Sequence, residues 1–123
     1  MMLNTSLQQP VDIKLMQEYF SKLVNKFFKI LPMMENGEKS IEAYIESLQV
    51  ELLGCKDLIS ALNYDPLYLS LLGILEWLRI NIYDDTFSFK RKRREIFNAI
   101  SVCKKLEIQY LQVVEPLQEE VKQ

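Results

Sequence analysis

Histidine is missing from this chain altogether, glycine occurs three times, proline four times and cysteine twice. Each shortage excludes something. Histidine is the side chain whose ordinary pKa lies nearest neutrality, so its absence removes the commonest general acid–base catalysts, the usual catalytic triads and the commonest zinc and iron sites. The Glu-x-x-His pairs of a bundle di-metal centre go with it. The glycines stand singly at 37, 54 and 73, so no glycine loop is present to cradle phosphate. With so few glycines and prolines there are few places for tight turns, which argues against a sandwich or barrel of many short strands.

The cysteines, Cys55 and Cys103, lie too far apart for the paired spacing of a structural zinc site and carry no signature of a nucleophile. The opening "MMLNTSLQQP" lacks the basic-then-apolar order of a secretory leader. Two thiols without a leader fit a reducing compartment, and we expect a cytoplasmic protein with both cysteines as small apolar groups. Long apolar runs are missing too. The richest, Pro66 to Ile82, is broken by Ser70, Glu76 and Arg79 and falls short of the roughly 20 residues of a membrane span. It reads as a buried helix, with no membrane partner.

What is present is a 123-residue chain with 49% hydrophobic residues, enough for one compact core and one domain. We expect a polar leader over about 1–10, a helical body, and an acidic tail over about 115–123. Ile13, Met16, Phe20, Leu23, Phe27 and Ile30 alternate steps of three and four, predicting a helix from about Val11 to Leu31, where Pro32 discourages continuation. "ENG" at Glu35 to Gly37 supplies a reversal. A second stripe, Ile41, Ile45, Leu48, Leu52, Cys55, Ile59 and Leu62, leaves Glu42, Glu46, Glu51 and Lys56 outward.

Asp65 and Pro66 form a clear helix start, a capping carboxylate followed by a residue that misses no amide hydrogen. The helix to about Ile82 is apolar on nearly every side and must be covered on every side, by the other helices or by a partner. A last helix runs from about Ser88 to Val114 with Ile96, Ile100, Cys103, Leu106, Tyr110 and Val113 or Val114 inward, and Pro116 beyond it. The fold class is therefore all-α, a compact bundle of four main helices, up-and-down by preference. Gly54 and Gly73 fall in helix middles, which has two readings: close approach of a neighbouring backbone or of a bulky group such as Trp77, or two tolerated glycines that do nothing.

Carboxylates remain as candidate ligands: Glu42, Glu46 and Asp57, or Glu119 and Glu120, could hold a divalent cation. Their place on the outward side of helices is the usual place for solvated charge, so we expect no metal, no cofactor and no catalytic residue.

Charge is uneven. Glu35 to Asp57 holds six acids against Lys39 and Lys56, whereas Arg79 to Lys105 holds eight bases against Asp84, Asp85 and Glu95. The bland explanation is that the second and fourth helices are neighbours whose charges meet, for about 0 to 1 kcal/mol per exposed pair. The pointed feature is "FKRKRREIF", Phe89 to Phe97. Lys90, Arg91, Lys92, Arg93 and Arg94 fill the first turns of a helix, where the dipole disfavours cations by roughly 0.3 to 1 kcal/mol each. Five residues span more than one turn, so they cannot share one solvent face, and Arg93, three before Ile96, falls in frame with the inner stripe.

Phosphates would suit such a run, with Tyr83, Phe87 and Phe89 stacking on bases, yet a pI near 5.2 is far from the usual nucleic-acid footprint. A short basic run also resembles a nuclear localisation signal, a weak pattern alone. An acidic protein surface uses both halves of the dipole, and a second copy of this chain could supply it as a homodimer. We expect a non-enzymatic interaction protein, of the kind found among phage and mobile-element inhibitors of host systems, with Lys90 to Arg94, Phe87, Phe89 and Trp77 contacting the partner. The alternative is a nucleic-acid-binding accessory protein using residues 90–94.

Overall fold

The computed structural model describes the backbone of residues 2–4, 10–58, 62 and 64–122, and the side chains of 14–56, 62 and 64–110. Two short strands, β1 (Met2–Asn4) and β2 (Pro10–Asp12), pair antiparallel with Met2 opposite Asp12. Five helices follow: α1 (Ile13–Phe28), α2 (Ile30–Glu35), α3 (Ile41–Leu58), α4 (Pro66–Asn81) and α5 (Phe89–Lys122). The small β hairpin in the expected polar leader was not foreseen. The chain is otherwise the all-α bundle that the stripes predict.

Side-chain pairs give the bundle its order and direction. Tyr19 and Lys26 of α1 both reach Glu51 of α3, and Tyr44 of α3 donates to the Lys26 carbonyl, so these helices run antiparallel. Tyr68 donates to the Leu52 carbonyl while Tyr83, just past α4, donates to the Lys39 carbonyl, which sets α4 antiparallel to α3. Gln109 meets Asp65 and Lys92 meets Ile82, which sets α5 antiparallel to α4. Phe20 stacks on Tyr110 and Phe28 meets Phe97, closing α5 on α1. The bundle is thus up-and-down, each main helix beside the next. Acidic α3 and basic α5 lie diagonally, so the expectation that their charges neutralise as neighbours is overturned.

The core collects the inner stripes: Phe20, Leu23, Phe27, Ile45, Leu52, Leu71, Leu75, Ile96 and Leu106 are among its fully buried members. Asp65 caps α4 as expected, its Oδ1 accepting from the amides of Leu67 and Tyr68, with Pro66 in the first turn.

Two helix ends depart from expectation. Pro32 does not end the first helix at Leu31; it sits in the first turn of α2, where its missing amide hydrogen is no loss, and the break falls at Lys29. The reason is that a proline ring collides with the carbonyl four residues earlier, here that of Phe28, so α1 stops there. The backbone of α5 continues through Pro116 to Lys122 rather than stopping near Val114, since an interior proline can bend a helix without ending it.

Gly37 closes α2 at φ 62°, with its amide bonded to the Met34 carbonyl and that of Glu38 to the Met33 carbonyl, the pattern of a left-handed helix cap. Gly54 and Gly73 do nothing of the kind. A Cβ built at either meets no atom within 4 Å, so the close-approach reading is wrong and both are exposed helix positions. Replacing either by alanine should therefore raise stability by about 0.5–1 kcal/mol, whereas Gly37→Ala should lower it by about 1 kcal/mol or more. Urea denaturation of the three variants checks both signs.

Glu51, expected outward, instead points at α1. Its carboxylate accepts from Tyr19 at 2.7 Å and Lys26 at 2.8 Å; burial opposes its ionisation, but these two partners outweigh that and hold it below the ordinary carboxylate value. Burial pushes the Cys103 thiol and the Tyr110 hydroxyl each up to about 12, from 9.0 and 10.0. The native state thus holds those protons more tightly than the unfolded chain. Their stabilisation is complete below pH 9 and is lost as pH rises toward 12, while that of Glu51 is present above its ordinary value of 4.5 and is lost as pH falls through its lowered one. With no histidine to titrate between them, the melting temperature should be flat from about pH 6 to 8 and fall on both sides.

Candidate interaction surface on the basic face

The antiparallel order brings the C-terminal end of α4 against the N-terminal end of α5, joined by Ile82 to Ser88. Within this turn Asp84 accepts from the Thr86 amide at 2.9 Å, and hydrogen bonding from the Thr86 side chain and then from that amide, aided by nearby Lys92, lowers its pKa. The turn then returns Phe87 to α4, where its ring meets Trp77 edge-on at 5.2 Å. Ser88 receives the Arg91 amide on its hydroxyl at 3.1 Å and starts α5.

The five bases separate into three environments. Arg91 lies over Trp77 at 5.1 Å and over Phe87 at 6.0 Å, and its guanidinium reaches Glu95 at 3.4 Å. It is a clasp between α4 and α5. Lys92 is buried and donates to the Ile82 carbonyl at 3.0 Å. Lys90, Arg93 and Arg94 are exposed and make no hydrogen bond or ion pair with the described residues. The inward base is therefore Lys92, four before Ile96, and not Arg93; its stem carries the ammonium along the core edge to a carbonyl.

That placement eases, for Lys92, the dipole conflict seen in the sequence. The ammonium of Lys92 sits at the C-terminal end of α4, where a helix favours cations, although its own backbone belongs to the N-terminal turn of α5, where it does not.

Trp77 and Phe87 are thus half-buried in the clasp, and Phe89 is exposed beside Lys90. Sequence reasoning missed Phe28 and Phe97. Their rings meet edge-on at 6.1 Å across α1 and α5, yet Phe97 keeps 44% of its surface. The available signal was that Phe97 closes the basic run immediately outside the inner stripe. Around this pair bases predominate: Lys90, Arg93, Arg94, Lys104 and Lys105 on α5 and Lys22 and Lys29 on α1 are exposed, against the exposed acid Glu18 of α1. No exposed acid occurs on α5 among the described side chains.

Ile82, whose carbonyl holds Lys92, also lines a hollow of about 330 Å³ with Met33, Met34, Ile41 and Tyr83. An apolar side chain fits such a space. Among the described residues no three acids or thiols group as a metal site; Asp57, Glu119 and Glu120 lie outside the described side chains. No described helix is long and apolar enough to cross a membrane. No protein-family model, curated protein or solved structure matches the chain.

Lys92 is accordingly a structural residue. Lys92→Met keeps the stem but strands the Ile82 carbonyl and should cost about 1 to 3 kcal/mol, whereas Arg93→Gln and Arg94→Gln should each move stability by less than about 0.5 kcal/mol. Thermal denaturation of the three variants separates the buried base from the exposed ones.

Proposed function

We propose that this chain is a non-enzymatic interaction protein whose α1/α5 face docks an acidic protein surface with apolar residues among its acids. The carrying observation is the exposed aromatic pair Phe28 and Phe97 among exposed bases of α1 and α5 that outnumber the exposed acid Glu18. Aromatic anchors ringed by charge are the usual composition of a protein contact, apolar at the centre and polar at the rim. Lys90, Arg93 and Arg94 supply the rim and the steering field. The protein acts by occupying its partner, as an inhibitor of a host system would, in a reducing cytoplasm that suits its free thiols, Cys55 and Cys103.

Nucleic acid is the second reading. It uses the same bases with the exposed rings of Tyr83 and Phe89 as stacking platforms. Against it stand the pI near 5.2 and the loss of Arg91 and Lys92 to the fold, which leaves fewer cations for phosphates.

Fluorescence anisotropy distinguishes the two, with a labelled amphipathic helical peptide of glutamate and leucine as one probe and a labelled single-stranded oligonucleotide as the other. The peptide should bind and remain bound as salt is raised, and Phe97→Ala or the triple change of Lys90, Arg93 and Arg94 to Gln should weaken it about tenfold or more. Oligonucleotide binding that falls steeply with salt, about 0.7 log units per log unit of salt for each phosphate engaged, together with no peptide binding, overturns the proposal.

A further inference from the structure

Resting on that reading, we infer that the acidic, apolar surface is carried by the chain itself, on the α3/α4 side, and that copies associate head to tail. In the ring order α1, α3, α4, α5, the α3/α4 side lies opposite the α1/α5 side. Its described side chains include no exposed base. Glu42, Glu46 and Glu76 gather about Arg79, which Glu76 holds by a hydrogen bond at 2.6 Å, and Lys56 at the end of α3 is the other half-buried base.

Apolar residues stand uncovered between these acids. Val50 is 69% exposed and Ile80 61%, with Leu53 and Leu69 also exposed. Leu69, Gly73, Glu76 and Ile80 recur at steps of three and four, one outward stripe of α4. Gly73 has no atom within 4 Å of where its Cβ would be, so this stripe has a notch between Leu69 and Ile80. This is the part of α4 that its all-round apolar sequence said must be covered.

The two sides complement each other in every respect shown. One presents bases around aromatic rings, the other acids around aliphatic side chains and a notch. The Phe97 ring seats in the notch at Gly73, while Arg93 and Arg94 meet Glu42 and Glu46. Because the two surfaces are different and lie on opposite sides of one bundle, the contact is heterologous, and each added copy leaves one surface of each kind free. The product is an open row and not the closed homodimer expected from the sequence.

Sedimentation velocity over a concentration series tests this. The mean mass should rise past that of a dimer without a plateau. Variant one, Arg93→Glu with Arg94→Glu, and variant two, Val50→Asp with Ile80→Asp, should each be monomeric, with circular dichroism confirming the helical fold. Mixed in equal amounts they should stop at a one-to-one dimer, since one good surface remains on each. Gly73→Gln fills the notch while improving helix propensity, and should weaken association about tenfold without loss of thermal stability. A wild-type protein that is monomeric throughout, or a closed dimer that survives either variant, overturns the inference. If that monomer still binds the glutamate–leucine peptide, self-association alone fails; if it binds nothing acidic, the proposed docking face fails with it.

Discussion

Phe20 is the contact on which the bundle turns. Its ring meets Tyr68 edge-on at 6.1 Å and stacks on Tyr110 at 5.5 Å, so one side chain of α1 joins the start of α4 to the middle of α5. Such aromatic pairs add about 0.5–1.5 kcal/mol each beyond the area they bury. More important is what the contact fixes. By tying the first helix to the last, it closes the ring, places α3 across the core from α5, and lays the exposed lysines of α1 beside the bases of α5. The charge pattern of the surface is a consequence of this closure. Had α3 packed on α5 instead, acids and bases would have met within the molecule and little field would remain outside.

The same closure divides labour within the basic run. A helix that begins with cations pays in its own dipole, and this fold reduces the cost by giving two of the five bases to α4. Lys92 places its ammonium on the terminal carbonyl of that helix, and Arg91 lies on the rings of Trp77 and Phe87. Both therefore report on assembly of the α4/α5 corner rather than on recognition. The seam between α1 and α3 has another character. Tyr19, Lys26, Tyr44 and Glu51 span it with hydrogen bonds, and burial raises the Tyr19 hydroxyl well above its ordinary value while Glu51 takes the charge. The proton stays on the tyrosine and the charge on the carboxylate, opposite Lys26.

Periodicity made the helices legible because their inner stripes are nearly pure. Met16, Phe20, Leu23, Phe27 and Ile30 are all buried, as are Ile41, Ile45, Leu48 and Leu52. Where reasoning failed, a single residue admitted two geometries. Steps of three and of four both continue a stripe; the step of three selects Arg93, the base expected inward, whereas the step of four carries Lys92 to the Ile82 carbonyl. Pro32 was read by its effect on the preceding residue, while its collision four residues back decided the boundary. Glu51 looked like solvated charge because the sequence does not reveal which outward positions face another helix. The glycines left two readings open, because an uncovered backbone looks the same in sequence as a crowded one.

That last ambiguity bears on recognition. A helix apolar on nearly every side has two physical outcomes, to be enclosed by its own chain or to keep a surface for another. Here α4 buries Tyr68, Leu71, Leu75 and Leu78 and leaves Leu69 and Ile80 outside, because a ring of four helices offers each member only two neighbours and the core. No described loop covers the remaining stripe. The net charge of -2 opposes close approach of copies weakly, since self-repulsion follows the net value while attraction follows its arrangement. A chain whose bases outnumber acids on one side and whose acids outnumber bases on the other therefore combines small repulsion with strong orientation. The sorting also limits what binds well: a uniformly acidic partner would satisfy the bases but leave Phe28 and Phe97 against polar groups, and a purely apolar one would strand the bases. A surface that mixes carboxylates with aliphatic side chains satisfies both, and the α3/α4 side has that composition.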